Sequence, residues 1–443
     1  MAETIVARGT PSGRSAIAVV RISGNDCAGL LAKICRSKNI PTENPRKMIC
    51  GEIFDEDGST IDDVLVVYFP EPHSYTGQDM AEIQCHGGQT VSLAIVERLI
   101  KTGARPALPG EFTRRAFENG KIDLSKAEAI IRLIDAETKE QVKGASRAMK
   151  GELGDLTSEI REKLIFVLSR IEASIDFPDE PETAEIVLGN LASIIDQIED
   201  LDARVHRTGD QGSQVVFYGK PNVGKSSLIN AIAGRSVSIV TDEPGTTRDA
   251  VSAQVTLGGL SVCLVDTAGH QEDLALSQVD KEAARVAKEK VENAAMLIWV
   301  TQMTAPEPPP DFSDLTPLVV VNKSDLAVAN VDSEKSVQIE NEEGRLVSAK
   351  TGAGVAKLIE LIQNRLTEKF GPADGLPIST RQKHSLDTIY RSVKLADQRI
   401  CNKQLELAAE DIQMAIAGTN ELLGVDLEVD VLDKIFSEFC IGK

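Results

Sequence analysis

A glycine-rich stretch in the middle of the chain constrains the fold more than any other feature. Residues 219–226 read GKPNVGKS and directly follow an apolar run at 215–218. This is the spacing of a phosphate-binding loop between a buried strand and a helix. Backbone N–H groups of such a loop bind phosphate oxygens, its lysine reaches the β and γ phosphates, and its serine ligates Mg²⁺. The stretch predicts an α/β nucleotide-binding domain in which Lys225 and Ser226 have these roles.

Two motifs downstream extend the phosphate site. Residues 241–248 read TDEPGTTR, and this segment offers Thr247 as a second Mg²⁺ ligand that senses the γ phosphate. Residues 266–269 read DTAG, so that Asp266 is expected near Mg²⁺ and the Gly269 N–H can meet the γ phosphate. The pattern predicts a nucleotide triphosphatase.

Two further motifs select the base. Residues 322–325 read NKSD, and the Asp325 carboxylate can accept both N1–H and the exocyclic amine of guanine, a pair of donors that adenine lacks. Residues 348–350, SAK, supply a last loop against the base, and the five motifs together predict binding and hydrolysis of GTP. The candidate GTP-binding residues are Asn222, Val223, Gly224, Lys225, Ser226, Ser227, Thr241, Asp242, Glu243, Pro244, Gly245, Thr246, Thr247, Asp266, Thr267, Ala268, Gly269, Asn322, Lys323, Asp325, Ser348, Ala349 and Lys350.

The residue that orients the attacking water is not fixed by these motifs. In small G proteins a glutamine directly follows the DTAG-type glycine. Here His270 follows it and Gln271 comes next. His270 either positions the water as a neutral imidazole or caps the loop, and both alternatives stay open.

Composition excludes several other classes of protein. The net charge of −20 over 443 residues argues against a protein that coats nucleic acid through bulk charge. Residues 101–150 nevertheless carry eleven Lys or Arg against seven Asp or Glu, which is either a local RNA contact or a solvated helix face. No apolar run is long enough to cross a membrane, and the N-terminus lacks the pattern of a secretory signal. We therefore expect a cytoplasmic protein with no membrane association.

The seven cysteines include no CxxC pair, so we expect reduced thiols, most of them buried.

The fold class expected from these patterns is multidomain α/β. Residues 1–118 predict an α+β domain with strands at 16–22 and 63–69 and a helix at 91–102. From there to residue 210 the spacing of apolar residues is helical. Residues 211–370 form the predicted Ras-like P-loop G domain, and 371–443 predict further helices, with one block over 380–423. Helices on both sides of the α/β part indicate an all-α helical domain into which the G domain is inserted.

Five stretches in collinear order resemble the MnmE (TrmE) family of tRNA modification GTPases. They are PGEFTRRAFENGKIDL at 109–124, IDFPDE at 175–180, HGG at 86–88, the G-domain motifs and FCIGK at 439–443. The resemblance implies a homodimer that acts with an FAD-dependent partner, MnmG, in a heterotetramer. It also implies that the pair adds a carboxymethylaminomethyl or aminomethyl group to C5 of wobble uridine 34 in certain tRNAs.

The resemblance also implies ligands outside the GTP site. An N-terminal folate-binding and dimerisation domain would bind 5-formyltetrahydrofolate or a related folate through Arg21, Glu82, Lys121 and Lys443. The G domains would dimerise around K⁺, which takes the place of an arginine finger. The implied K⁺ ligands are Asn222 and the carbonyls of Thr241, Glu243 and Thr246. Cys440 matches the family's terminal cysteine, for which thiol chemistry and a structural role both stay open.

The chain departs from the family pattern after the DTAG motif. The family's water-orienting glutamate falls on Asp280, one methylene shorter, while Gln278 and Glu282 are alternatives because of a neighbouring insertion or deletion. His270 and Asp280 are therefore both candidate catalytic residues. Two other functions are alternatives. A ribosome-assembly GTPase would carry a basic RNA-binding module after the G domain, where residues 371–443 are instead acidic. A stand-alone folate-dependent transferase would have no use for the G domain.

Overall fold

The structure is a computed structural model of the chain. It describes residues 3–39, 41–176, 184–207, 213–235, 252–266, 294–310, 316–327, 336–339, 342–425, 427 and 429–442. The chain divides into two compact units. The first unit comprises residues 1–131, 149–169 and 412–443, and the second comprises 132–148 and 170–411.

The elements are numbered along the chain. Up to residue 207 they are β1 Ile5–Arg8, β2 Ile17–Ser23, α1 Cys27–Ile34, β3 Cys35–Arg36, β4 Ile49–Phe54, β5 Thr60–Phe69, β6 Met80–His86, α2 Gln89–Thr102, β7 Arg105–Pro106, α3 Glu111–Glu118, α4 Leu124–Ile134, α5 Lys139–Met149, α6 Glu152–Asp176, α7 Ala184–Arg204 and β8 Val205–Arg207. The later elements are β9 Ser213–Tyr218, α8 Lys225–Ala233, β10 Ser252–Leu257, β11 Leu260–Asp266, β12 Met296–Gln302, β13 Leu318–Asn322, β14 Ser336–Ile339, β15 Glu342–Leu346, α9 Val355–Phe370, β16 Leu376–Ile378, α10 Thr380–Cys401, α11 Leu405–Leu423 and α12 Val429–Ser437.

The first unit is built on a sheet in the order β3-β4-β5-β6-β2-β1-β7, antiparallel except for the β1–β7 pair. Alternate residues of its strands, such as Val20, Ile83 and Val66, pack with α1 and α2 into one core. The opposite face carries the intervening residues, among them Arg21 and Glu82, which pair across β2 and β6. The α+β prediction for this part is confirmed, because apolar residues alternate along the strands as a half-buried sheet requires.

The second unit contains a sheet in the order β10-β11-β9-β12-β13-β15-β14. Its five inner strands are parallel, and the edge strands β10 and β14 pair in antiparallel fashion. The apolar runs of β9, β12 and β13 are buried with α8 and α9 in one core. Parallel strands place their carboxyl ends at one edge of the sheet, where ligands bind in open α/β sheets. This positions the predicted phosphate and base motifs together.

Helices complete the second unit. In α7 and α10, Asp202 accepts a 2.7 Å hydrogen bond from Lys383, and Glu199 accepts one of 2.6 Å from Tyr390. The short strands β8 and β16 pair in parallel where the chain enters and leaves the nucleotide-binding part. The multidomain α/β fold class is confirmed, while the predicted boundaries at residues 118, 210 and 370 stay predictions.

The helical block expected over 380–423 consists of two helices, α10 and α11, because Lys403 adopts a left-handed φ of 57° between them. One prediction from the sequence was wrong. Most cysteines were expected to be buried, but only Cys27 and Cys85 are, and three of the seven are exposed. Among the described residues, no helix is long and apolar enough to span a lipid bilayer.

Candidate functional site

The first loop of the nucleotide site turns from β9 into α8. Gly224 caps the helix with φ 94° and ψ 30°, a left-handed conformation that favours glycine. A Cβ atom on Gly224 would also lie 2.4 Å from the Asn322 side-chain nitrogen, so no larger residue fits. The loop therefore brings backbone N–H groups to a helix N-terminus, which is where anions bind.

Lys225 lies inside this loop and is only 6% exposed. Its ammonium donates to the carbonyl oxygens of Gly219 at 2.8 Å and Lys220 at 3.2 Å. Burial lowers the pKa of Lys225, and the nearby Asp266 carboxylate opposes that shift. Two neutral carbonyl oxygens thus hold the ammonium, and negatively charged phosphate oxygens of a bound ligand can replace them.

Ser226 and Asp266 meet at the predicted metal position. The Ser226 hydroxyl donates to Asp266 Oδ2. Asp266 is 7% exposed, and its Oδ1 has no hydrogen-bond partner within the described part of the chain. A buried carboxylate oxygen without a partner is costly unless a ligand completes it. The pair of oxygens fits Mg²⁺, a hard cation that takes oxygen ligands.

Asn322 connects the phosphate loop to the base loops. Its Nδ2 donates to the Val223 carbonyl at 2.9 Å, and its Oδ1 accepts from the Ala349 N–H at 3.0 Å. Its side chain is buried at the end of β13. These bonds fix the first and last motifs relative to each other without a ligand.

Asp325 is exposed at the position predicted for the guanine contact. Ser348 Oγ donates to its Oδ1 at 2.6 Å, and this hydrogen bond is the main reason why the pKa of Asp325 lies below its usual value. The neighbouring Lys323 donates to the Asn222 carbonyl at 2.6 Å and to Gln302 at 3.1 Å. The site therefore offers an ionised carboxylate oriented by its neighbours, which suits an N–H pair such as that of guanine.

The remaining predicted nucleotide and catalytic residues lie outside the described residues. They are Thr241, Asp242, Glu243, Pro244, Gly245, Thr246, Thr247, Thr267, Ala268, Gly269, His270 and Asp280. Ser227 follows Ser226 in α8 and is exposed, as is Lys350 in the last loop. Described residues thus account for the phosphate loop, the Ser–Asp pair and the base loops.

A second cluster forms in the first unit from residues far apart in the sequence. Arg21 Nε donates to Glu82 Oε1 at 2.9 Å, and Arg21 Nη1 donates to the Gly442 carbonyl at 3.1 Å. Two of the predicted folate ligands are therefore brought together with the C-terminal segment. Lys121 makes a different contact, because its ammonium donates to the Pro72 carbonyl at 2.9 Å. Lys443 lies outside the described residues.

Cys440 lies in the same C-terminal segment as an exposed residue. The structure connects it to the start of α3 through its backbone, since its carbonyl accepts from the Gly110 N–H at 3.5 Å. The neighbouring Ile441 forms an isolated bridge with Pro109. These contacts hold the segment in place through the main chain and leave the role of the thiol open.

Sequence reasoning missed Tyr75 near this cluster. Its hydroxyl lies 2.9 Å from Thr113 Oγ1, and burial raises its pKa while the charge of Arg21 opposes the shift. The signal that could have indicated it is an aromatic residue in the polar, glycine- and proline-containing segment 70–79. Tyr75 is 37% exposed, so part of its surface is open to a ligand while its hydroxyl is hydrogen-bonded.

The motif at 109–124 contributes to a buried network of hydrogen bonds that the sequence did not indicate. Glu111 is buried and accepts hydrogen bonds from Arg105 at 2.7 and 3.0 Å, Arg115 at 2.9 Å and the Leu108 N–H at 2.9 Å. Burial alone would raise the pKa of Glu111, but these donors lower it below its usual value. A cavity of about 550 Å³ lies beside this network and is lined in part by Arg114, Arg115 and Glu118.

The fold and the first site together define the class of this protein. A phosphate loop, a Ser–Asp pair suited to Mg²⁺ and an oriented aspartate for guanine lie at the carboxyl edge of one parallel sheet. The chain is a P-loop GTPase.

Comparison with known proteins gives the family. The model of the family described as "GTP-binding protein TrmE N-terminus" matches residues 4–121. The model of the family described as "MnmE helical domain" matches residues 124–440. Relatives named tRNA modification GTPase MnmE are 36% identical in Pseudothermotoga lettingae, 38% in Maricaulis maris and 38% in Paramagnetospirillum magneticum, and each match covers all of both chains. The chain belongs to the MnmE family of tRNA modification GTPases, as the resemblance in sequence predicted.

Proposed function

We propose that this GTPase acts with an FAD-dependent, MnmG-like partner to add a carboxymethylaminomethyl group to C5 of wobble uridine 34 in certain tRNAs. The observation that carries the proposal is the match to MnmE relatives over all of both chains. The match includes both the nucleotide site and the C-terminal segment that meets Arg21. We further propose that the protein works in the cytoplasm as a homodimer, within a heterotetramer with the partner.

Each residue of the nucleotide site has a separate role in the proposed function. Lys225 binds the β and γ phosphates, Asn322 holds the loops in register, and Asp325 selects guanine. Ser226 and Asp266 would hold Mg²⁺, which neutralises charge on the phosphates when bound. Because Asn322 and Ser348 already orient the loops, little reorganisation is needed when GTP binds.

Potassium binding is proposed for the same site. The Asn222 side chain is exposed, and no described residue hydrogen-bonds to its amide, so its oxygen is free to bind a cation. The carbonyls of Thr241, Glu243 and Thr246 would complete the set of ligands. A monovalent cation there would offset charge that develops between the β and γ phosphates. GTP hydrolysis is expected to be faster in K⁺ than in Na⁺ at equal ionic strength, and equal rates would exclude the assignment.

The Arg21–Glu82 pair supports folate binding in the first unit. Glu82 engages Arg21 through Oε1, and no other described residue donates to its carboxylate. Its second oxygen can therefore accept N–H groups from the pterin ring of a folate, and Tyr75 offers an aromatic surface nearby. Lys121 and Lys443 are proposed to bind the negatively charged glutamate part of the same ligand.

The water-orienting residue is proposed to be Asp280, with His270 as the alternative. Asp280→Ala is expected to reduce the turnover number while GTP affinity stays close to that of the unchanged protein. If His270→Ala alone abolished turnover and Asp280→Ala had no effect, the role would pass to His270.

Mass spectrometry of tRNA nucleosides from cells with and without the gene tests the proposed function. C5-modified wobble uridines should disappear without the gene and return with the intact gene, but not with Lys225→Ala. Lys220→Ala is the matched control, because its exposed side chain donates to Glu307 at 2.8 Å, and it should restore the modification. An unchanged nucleoside profile would contradict the proposal and favour a GTPase of ribosome assembly.

A further inference from the structure

The hairpin formed by β10 and β11 is held by a segment that plays no part in the nucleotide site. The segment, residues 132–148, belongs to the second unit and is called the arm here. Its two ends continue along the chain into residues 131 and 149 of the first unit. The arm contains the last residues of α4, the turn that follows and nearly all of α5.

Glu137 of the arm contacts both strands of the hairpin. Its Oε2 accepts from Gln254 in β10 at 3.1 Å and from the Ser261 hydroxyl in β11. Gln254 also donates to Ser261 at 2.8 Å, which closes a three-residue network across the two strands. One carboxylate therefore fixes both strands at the same point.

Thr138 holds the turn of the hairpin. Its hydroxyl donates to the Gly259 carbonyl at 2.7 Å and accepts from the Gln141 N–H at 3.1 Å, while the Gln141 side chain accepts from the Thr138 N–H at 3.1 Å. Thr138 thus caps α5 and binds the turn with the same oxygen. Gly259 has φ 84°, and a Cβ there would lie 2.8 Å from the Glu140 side chain. The close approach of arm and turn requires glycine at this position.

The other end of the hairpin is part of the nucleotide site. Strand β11 runs from the Ser261 contact to Asp266, a distance of about 17 Å for five residues of extended chain. Asp266 receives the Ser226 hydroxyl next to Lys225. Strand β11 is paired along its length with β10 and β9. It therefore forms a continuous hydrogen-bonded connection between Asp266 and the contacts of Glu137 and Thr138.

We propose that Glu137 and Thr138 are positioning residues that couple the nucleotide state at Asp266 to the arm. Neither residue touches the nucleotide site. Their loss should leave GTP binding and basal hydrolysis nearly unchanged and remove the response of the arm to the nucleotide. Coupling of this kind is reciprocal, so events that move the arm should also change the affinity for GTP.

Hydrogen–deuterium exchange of the full-length chain tests the coupling directly. In the unchanged protein, amides of residues 137–148 should exchange at rates that differ at least about fivefold between GDP and a non-hydrolysable GTP analogue. In Glu137→Ala and Thr138→Val this difference should fall to less than about twofold, with GTP affinity and basal hydrolysis within about twofold of the starting values. Thr138→Ser keeps the hydroxyl and should restore the difference.

Two controls separate coupling from local stability. Gln141→Ala removes half of the helix cap but keeps the Thr138–Gly259 bond, so the nucleotide-dependent difference should persist. Glu360→Gln removes an exposed carboxylate of α9 that, among the described residues, forms an ion pair with Lys357, and it should have no effect. An arm whose exchange is the same with both nucleotides in the unchanged protein, or a full response in Glu137→Ala, would overturn the proposal.

A second readout relates the coupling to the proposed function, on which this part of the inference rests. Glu137→Ala should lower wobble-uridine modification at least about fivefold while GTP hydrolysis continues. If the protein proves not to modify tRNA at all, the exchange experiment still decides whether the arm responds to the nucleotide. The two failures are therefore distinguishable.

Discussion

The nucleotide site and the Arg21–Glu82–Gly442 cluster are assembled in different ways. Each part of the nucleotide site comes from a short motif at the end of a strand, and the parallel sheet brings these ends to one edge. The Arg21 cluster joins residues 61 and 421 positions apart in the chain. Its geometry depends on the docking of the C-terminal segment, for which no local pattern exists. The first site is therefore encoded locally, and the second is a product of the tertiary fold.

The two sites also differ in how they hold charge. In the nucleotide site, backbone carbonyls and a neighbouring hydroxyl hold Lys225 and Asp325. In the first unit, charged side chains hold each other, as in the pairs Arg21–Glu82 and Arg115–Glu111. Groups held by neutral partners remain available to a charged ligand, whereas paired charges must exchange partners when a ligand binds. We therefore expect substitutions in the nucleotide site to reduce ligand affinity more than substitutions in the Arg21 cluster.

The largest effect is expected for Lys225→Ala. The variant loses two charge-assisted contacts to phosphate of about 2 kcal/mol each, so GTP affinity should fall by about 1,000-fold. Titration with a fluorescent GTP analogue measures this. Folate binding should not change, because Lys225 belongs to the other unit. Affinity within about tenfold of the starting value would show that the loop backbone alone provides the binding energy.

Asp325→Asn should reduce GTP affinity by about 100-fold and create affinity for xanthosine triphosphate. An amide cannot accept two N–H groups of guanine, but it can donate to the carbonyl that xanthine has in place of the amine. Competition between the two nucleotides measures the change. Ser348→Ala removes only the hydroxyl that orients Asp325, and it should cost about tenfold without altering the preference. Weak binding of both nucleotides by Asp325→Asn would contradict a direct contact with the base.

Arg21→Met should reduce folate affinity by about tenfold and leave GTP affinity unchanged. The substitution keeps the volume and removes the guanidinium that joins Glu82 to Gly442, a loss of about 1.5 kcal/mol. Isothermal titration with 5-formyltetrahydrofolate measures it. Lys101→Met, an exposed lysine of α2, is the control. Deletion of residues 442–443 should give a similar loss, and the two changes combined should cost less than their sum. Full additivity would show that Arg21 and the C-terminus act separately.

This comparison also shows how much the sequence could predict. The placement of the phosphate loop, of Ser226 near Asp266 and of the two base loops followed from motif spacing, because strand ends in a parallel sheet converge by topology. The strands of the first unit followed from alternation of apolar residues. The contacts of Gly442, Tyr75 and Glu111 could not be predicted, since they depend on packing between segments distant in sequence. The break at Lys403 was missed because helical periodicity continues on both sides of it.

The smallest effect is expected at His206. This residue is buried by a pairing of strands distant in sequence, and its burial should make the free energy of unfolding depend on pH. His206 lies in β8, which pairs with β16 across about 170 residues of chain, and it is 7% exposed. Its Nδ1 has no partner in the described structure. Burial lowers the pKa of His206 below its ordinary value of 6.5, while backbone hydrogen bonds at Gly371 and Phe370 partly oppose the shift.

The lowered pKa of His206 determines how the free energy of unfolding changes with pH. The unfolded chain binds a proton at His206 more readily than the folded chain, so the free energy of unfolding should fall as the pH drops from 7 through 6.5 toward 5. Denaturant unfolding followed by circular dichroism should show that His206→Gln reduces this slope, with a difference on the order of 1 kcal/mol at pH 5. His384→Gln, at an exposed histidine of α10, should keep the original slope. An identical slope in His206→Gln would mean that the paired strands open far enough at low pH to hydrate the imidazole, so that distant pairing protects this residue less than its burial indicates.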